Sequence, residues 1–162
     1  MFSGKSEEMI RRLRRAEIAG QRVVIFKPRI DDRFDAADVV SHAGARMRGV
    51  PVSSVAELVA RAQGFEVVGI DEVQFFEPAI VSTALELADS GVRVVVAGLD
   101  QDFRRLPFGP IPDLLSYAEF VDKLQAVCHR CGGPATTTQR LVNGKPAPYS
   151  GETVLVLSLI HI

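Results

Sequence analysis

Three short apolar runs constrain this chain more than anything else in it. Arg22-Val-Val-Ile-Phe-Lys27, residues 66–70 with Val67, Val68 and Ile70, and residues 92–99 (VRVVVAGL) are β-branched and almost continuously hydrophobic. Strands of that kind belong inside a sheet that is covered on both faces. Between them lie segments with helical spacing. Met9, Ile10, Leu13 and Ala16 recur at that spacing from Ser6 to Ala19, and Gly20 follows where a left-handed cap would end a helix. Ser54, with Glu57 three residues later, forms a capping box ahead of Leu58 and Val59 and predicts a second helix ending at Gly64. Residues 78–90 read as a third. Strand and helix alternate, which is the sequence form of a parallel sheet with crossover helices. Residues 29–52, broken up by Asp, Gly and Pro, read as a mobile loop.

The pattern changes near Lys123. Cys128-His-Arg-Cys131-Gly-Gly, a Thr-rich stretch, then NGKPAPYSGE and TVLVL suggest short hairpins. The expected architecture is therefore an α/β domain over residues 1–121 and a small β-rich, zinc-ribbon-like domain over residues 122–162. The 19 basic and 20 acidic residues leave a net charge of -1, so the chain lacks the basic footprint of a nucleic-acid binder. Small-molecule chemistry is favoured instead. No run of about 18 apolar residues is present to span a membrane, and MFSGKSEE lacks the basic start and apolar core of a signal peptide. The reading is cytoplasmic. In a reducing compartment Cys128 and Cys131, three apart, suit a metal half-site or a redox pair better than a structural disulfide.

Two constellations carry chemistry. Phe2-Ser3-Gly4-Lys5-Ser6 matches the back half of G-x-x-x-x-G-K-[ST]. In such a loop Gly4 lets backbone N–H groups close around phosphate oxygens, Lys5 reaches the β and γ phosphates, and Ser6 offers a hydroxyl to Mg²⁺. The tripeptide alone also fits an exposed turn before a helix. The second constellation is Val67-Val-Gly-Ile-Asp71-Glu72, an apolar strand ending in two carboxylates. An Asp at the carboxyl edge of a parallel sheet is where phosphoryl-transfer enzymes hold magnesium, and the neighbouring Glu can serve as general base. The same pair could instead cap the next helix. Taken together, the two motifs point to phosphoryl transfer.

GKSEEMIRRLRRA, DEVQFF, LDQDFRRLPFGP and CHRCGGPATTTQR, in that order, resemble segments of thymidine kinases of the bacterial and animal cytosolic type. The resemblance runs from Met1 to about Val156. It implies a RecA-like ATP-binding domain, a small zinc domain, a lasso-shaped loop closing over the nucleoside, and a homotetramer. Its substrates would be thymidine and ATP, with Mg²⁺ and a structural Zn²⁺. Glu72 would be the proton acceptor and Asp71 its magnesium-linked neighbour; Gln74 would lie in the nucleotide site with Ser3, Gly4, Lys5 and Ser6. Asp31 and Arg33 would stand beside the transferring phosphoryl. Met1, Phe75, Leu99, Phe103 and Phe108 match positions lining a thymine pocket, although the aromatic residues also suit a core. Arg140, Val154 and Val156 fall on the lasso.

Cys128 and Cys131 would hold zinc, but the second ligand pair of the family does not follow the lasso. The sequence runs instead Val156-Leu-Ser-Leu-Ile-His-Ile162. His161 is read as an accidental histidine rather than a ligand, and His42 and His129 as exposed. Both ends depart from the family pattern, so a gene fragment or a frame-shifted terminus on a kinase body, with little activity of its own, is the expectation. Rival readings are another P-loop phosphotransferase or ATPase, a zinc-ribbon module for nucleic acid, and a structural subunit without catalysis.

Overall fold

The three apolar runs pair side by side in the computed structural model, which describes residues 3–29, 38–40, 46–128, 130–142, 145–146 and 157–159. They form strands β1 (Val23–Pro28), β4 (Val67–Ile70) and β5 (Arg93–Val96). Two more strands, β2 (Asp38–Val40) and β3 (Arg46–Val52), complete a five-stranded sheet in the order β2-β3-β1-β4-β5. All neighbours are parallel except β2 and β3. The register sets Val24 beside Val68 and Val68 beside Val94.

The strands β2 and β3 correct the loop expected over residues 29–52. Pro51 is tolerated in β3 for a geometric reason. The carbonyl of Val52 accepts from Arg29 N–H at 2.9 Å, so Val52 bonds toward β1 and Pro51 faces the other way. On that side β2 reaches only Arg46–Arg48, and the missing N–H interrupts no ladder bond among the described residues.

Because side chains alternate across a strand, two faces must be covered, and both are apolar. Val24, Phe26, Val68 and Ile70 pack with Leu58 of α2 (Val55–Ala62), Ile80 of α3 (Ile80–Asp89) and Ile111 of α4 (Ile111–Tyr117). On the opposite face Ile25, Val67 and Ala97 meet Met9, Ile10, Leu13 and Ala16 of α1 (Lys5–Ile18). These are the residues whose spacing predicted that helix. Gly69 permits the close approach, since a β-carbon there would lie 2.7 Å from Leu13 Cδ1. Leu13 and Leu58 are fully buried, each contributing about 1.5–3 kcal/mol from removal of apolar surface from water. One half of the capping box forms, with Ser54 Oγ accepting from Glu57 N–H at 3.2 Å, while the Glu57 carboxylate accepts instead from Ser53 N–H, one residue before the N-cap, at 2.8 Å.

After α4 the chain is built of short antiparallel pairs: β6 (Ala126–Val127) with β7 (Pro134–Ala135), and β8 (Thr138–Val142) between β9 (Lys145–Pro146) and β10 (Leu157–Leu159). The linker before β6 is tied back by ion pairs of Asp122 with Arg12 and of Lys123 with Asp100, the latter at 2.9 Å.

Candidate active site

β4 delivers its two carboxylates at the carboxyl edge of the sheet, and both neighbouring strands fix the turn that follows. Asp71 N–H donates to Phe26 O at 2.9 Å, and Val73 N–H to Ala97 O at 3.1 Å. Between them Glu72 adopts φ 50°, ψ 40°. That left-handed conformation costs a residue with a side chain about 1–2 kcal/mol, and such strain persists where the surroundings impose it. It throws the chain directly from the strand into a single 3-10 turn, Val73–Phe75.

Asp71 is buried, and Ser6 from the start of α1 lies against it. Ser6 Oγ is 3.5 Å from Asp71 Oδ2, and Glu72 N–H donates to Asp71 Oδ1 at 3.0 Å. Burial pushes the Asp71 carboxyl up to about 6, the adjacent Glu72 charge adds to the rise, and the Glu72 amide, Lys5 and Ser6 pull it back. A desolvated carboxylate beside a hydroxyl is an all-oxygen donor set suited to a hard divalent cation, which would restore the charged form. Gly4, at φ 79°, turns the chain into α1, and its carbonyl accepts from Glu8 N–H at 2.9 Å. Lys5 Nζ is 3.4 Å from Ser3 Oγ. The predicted phosphate turn and the predicted acid pair therefore meet, although 65 residues separate Ser6 from Asp71. A cavity of about 950 Å³ runs alongside, bordered by Lys5, Met9, Val95 and Leu99; Asp71 and Glu72 do not line it.

Behind Glu72 stands Gln74, only 3% exposed. Its amide nitrogen donates to the Glu72 carboxylate, and its carbonyl oxygen accepts from Leu99 N–H at 3.1 Å. Phe75 meets Phe108 edge to face, with ring centroids 5.4 Å apart. Phe108 comes from a tight loop, Asp100–Phe108, closed by Phe108 N–H to Asp100 O at 3.1 Å. Asp102 organises that loop by accepting from the N–H groups of Arg104 and Leu106, at 2.8 and 3.1 Å, and from the Arg104 guanidinium. Partial burial raises its carboxyl, but these donors outweigh burial and hold it below the usual carboxylate range. Phe103 lies under the Arg104 guanidinium, 5.8 Å from the ring centroid.

The structure thus gathers Ser3, Gly4, Lys5, Ser6, Asp71, Glu72 and Gln74 at one sheet edge, with Phe75, Leu99 and Phe108 next to Gln74. Met1, Asp31, Arg33, Val154 and Val156, with the histidines at 42, 129 and 161, lie outside the described residues. Arg140 is placed on β8 by its backbone alone. Cys128 and Cys131 occupy the turn between β6 and β7, a knuckle closed by Cys128 N–H to Gly133 O and Gly132 N–H to Cys128 O, both at 2.8 Å. Among the described residues no group of three or more His, Cys, Asp or Glu side chains is assembled for a metal. No helix there is long and apolar enough to cross a membrane. Sequence reasoning gave no role to Asp102, Gly98 or Gly109. The Asp followed by two Arg in Asp102-Phe-Arg-Arg was the available signal for the first; the two glycines reveal themselves only through packing.

The thymidine kinase family profile matches residues 1–156. A curated thymidine kinase of Deinococcus radiodurans is 56% identical over 167 aligned positions, covering 96% of this chain and 79% of that protein.

Proposed function

Since the chain belongs to the thymidine kinase family, we propose that the α1 turn and the Asp71–Glu72 edge are where it moves the γ-phosphoryl group of ATP to the 5′-hydroxyl of thymidine. The observation that carries the assignment is Ser6 beside Asp71 at 3.5 Å, which joins a phosphate-binding turn to a strand-end carboxylate. In this reading the backbone N–H groups at Gly4 and the N-terminus of α1 face the triphosphate, and Lys5 offsets charge on its β and γ phosphates. Ser6 and Asp71 would hold Mg²⁺, which when bound neutralises charge as it builds on the phosphate oxygens. Glu72 takes the proton of the 5′-hydroxyl as that oxygen bonds to the γ phosphorus. The bond from the γ phosphorus to the bridging oxygen breaks, and ADP leaves with the electron pair. In the same reading Arg33 and Asp31 would serve the transferring group, where a guanidinium would offset charge on the equatorial oxygens.

Phe75, Phe103, Phe108, Leu99 and Met1 form the walls for the pyrimidine in this reading, since aromatic faces suit a flat base. Arg140, Val154 and Val156 would belong to the lasso of that pocket. Cys128 and Cys131 supply two thiolates to a structural Zn²⁺, half of a tetrahedral set. Residues 1–121 and 122–162 are the two domains. Homotetrameric assembly in the cytoplasm, with no nucleic-acid or membrane partner, completes the proposal; light scattering checks the assembly. Transfer from γ-labelled ATP to thymidine, uridine and deoxycytidine tests the reaction itself. Label should pass to thymidine in preference to the other two, and equal transfer to all three, or none to thymidine, would overturn the substrate assignment.

A further inference from the structure

We propose that Gln74 is a positioning residue that fixes the Glu72 carboxylate through one end of its amide and locks to the backbone of Leu99 through the other. The inference rests on Glu72 being the proton acceptor. Gln74 is almost wholly buried, and beside Gly98 its amide oxygen shares the space with Ile111 and Val73, where an apolar side chain would pack without needing hydrogen-bond partners. Its two bonds are therefore informative. The amide nitrogen can meet the Glu72 carboxylate, and the carbonyl oxygen the Leu99 N–H, in one orientation alone; the flipped amide would set donor against donor and acceptor against acceptor. Among the described residues, Gln74 is the sole donor to the Glu72 carboxylate.

Two glycines make the space this residue occupies. A β-carbon at Gly98 would sit 2.7 Å from Gln74 Oε1, and one at Gly109 would sit 2.4 Å from the Gln74 carbonyl oxygen. Two glycines from separate segments thus admit this one side chain and its backbone. Leu99 begins the segment leading into the Asp100–Phe108 loop, so the same amide couples the carboxylate to the segment carrying Phe103 and Phe108. A general base gains from such fixing because misplacement by about 1 Å can cost on the order of 100-fold in rate.

Gln74→Met removes both the donor to Glu72 and the acceptor for Leu99 N–H without adding charge. Gln74→Leu does the same with a branched apolar side chain. For each, with folding checked by circular dichroism, kcat should fall on the order of 100-fold while KM for ATP and thymidine stays within about threefold. In a Glu72→Gln background, Gln74→Met should add little further loss, because the two residues act as a unit. Turnover near that of the unmodified enzyme in both single variants, or an undiminished loss in the Glu72→Gln background, would overturn the inference. Were Glu72→Gln itself fully active, the proton-acceptor assignment would fall and the inference with it. An inactive Glu72→Gln beside an active Gln74→Met would overturn the positioning role alone.

Discussion

Asp71→Asn should make the nucleotide-free protein more stable at neutral pH while removing its activity. Burial raises the Asp71 carboxyl from 3.8 to about 6, so between those values the native state holds a proton that the unfolded chain has released. Stability accordingly falls as pH rises across that window and stays reduced above it. At about 1.4 kcal/mol per pH unit, the rise corresponds to about 3 kcal/mol carried at pH 7 and above. Asparagine keeps an acceptor for Glu72 N–H, and its amide can donate to Ser6 Oγ, whose hydroxyl rotates to accept. Reorganisation reduces the gain to about 1–3 kcal/mol. Urea unfolding at pH 8 and near pH 4, without nucleotide or divalent cation, measures it. The variant should be more stable at pH 8 and level with the parent near pH 4. A variant less stable at pH 8, or one with the same difference at both values, would refute the claim that desolvation of a charged Asp71 dominates its energetics.

Gly109→Ala should destabilise strongly, by about 2–4 kcal/mol, because the new carbon would meet the Gln74 carbonyl oxygen at 2.4 Å and φ is +53°; thermal unfolding checks it. Glu8 is held at about pKa 2 by hydrogen bonds from Arg11 and then Arg12. Its contribution is present above about pH 4.5 and is lost as pH falls through about 2. The cluster lies at the surface, so Glu8→Gln should cost less than about 1 kcal/mol at pH 7, and molar salt should shrink the difference.

The sheet and its covering helices were legible because their signals are local. Val24, Phe26, Val68 and Ile70 announce strands that need no water on either face, and Met9, Ile10, Leu13 and Ala16 announce the helix that covers one of them. β3 was missed because Gly49 and Pro51 read as breakers, and only its pairing with β1 on one side and the short reach of β2 on the other makes Pro51 harmless. The acid pair was visible as a strand ending in Asp71-Glu72. The left-handed turn at Glu72 was not, since it is imposed by strands β1 and β5 bonding the flanking amides. Gln74 was assigned to the nucleotide site, but its bond to Leu99 depends on a contact 25 residues along the chain that no spacing rule encodes. Gly98 reads as one more residue of the apolar run 92–99 until the Gln74 side chain, from the turn after β4, is found pressed against it.

Single-turnover transfer of labelled phosphate from ATP to thymidine, compared between the unmodified chain and Glu72→Gln with ATP binding measured in parallel, addresses the proposed role of Glu72 most directly. The account predicts transfer by the unmodified chain, and a variant that binds ATP with similar affinity yet passes almost no label to the nucleoside. Equal transfer by both would contradict it.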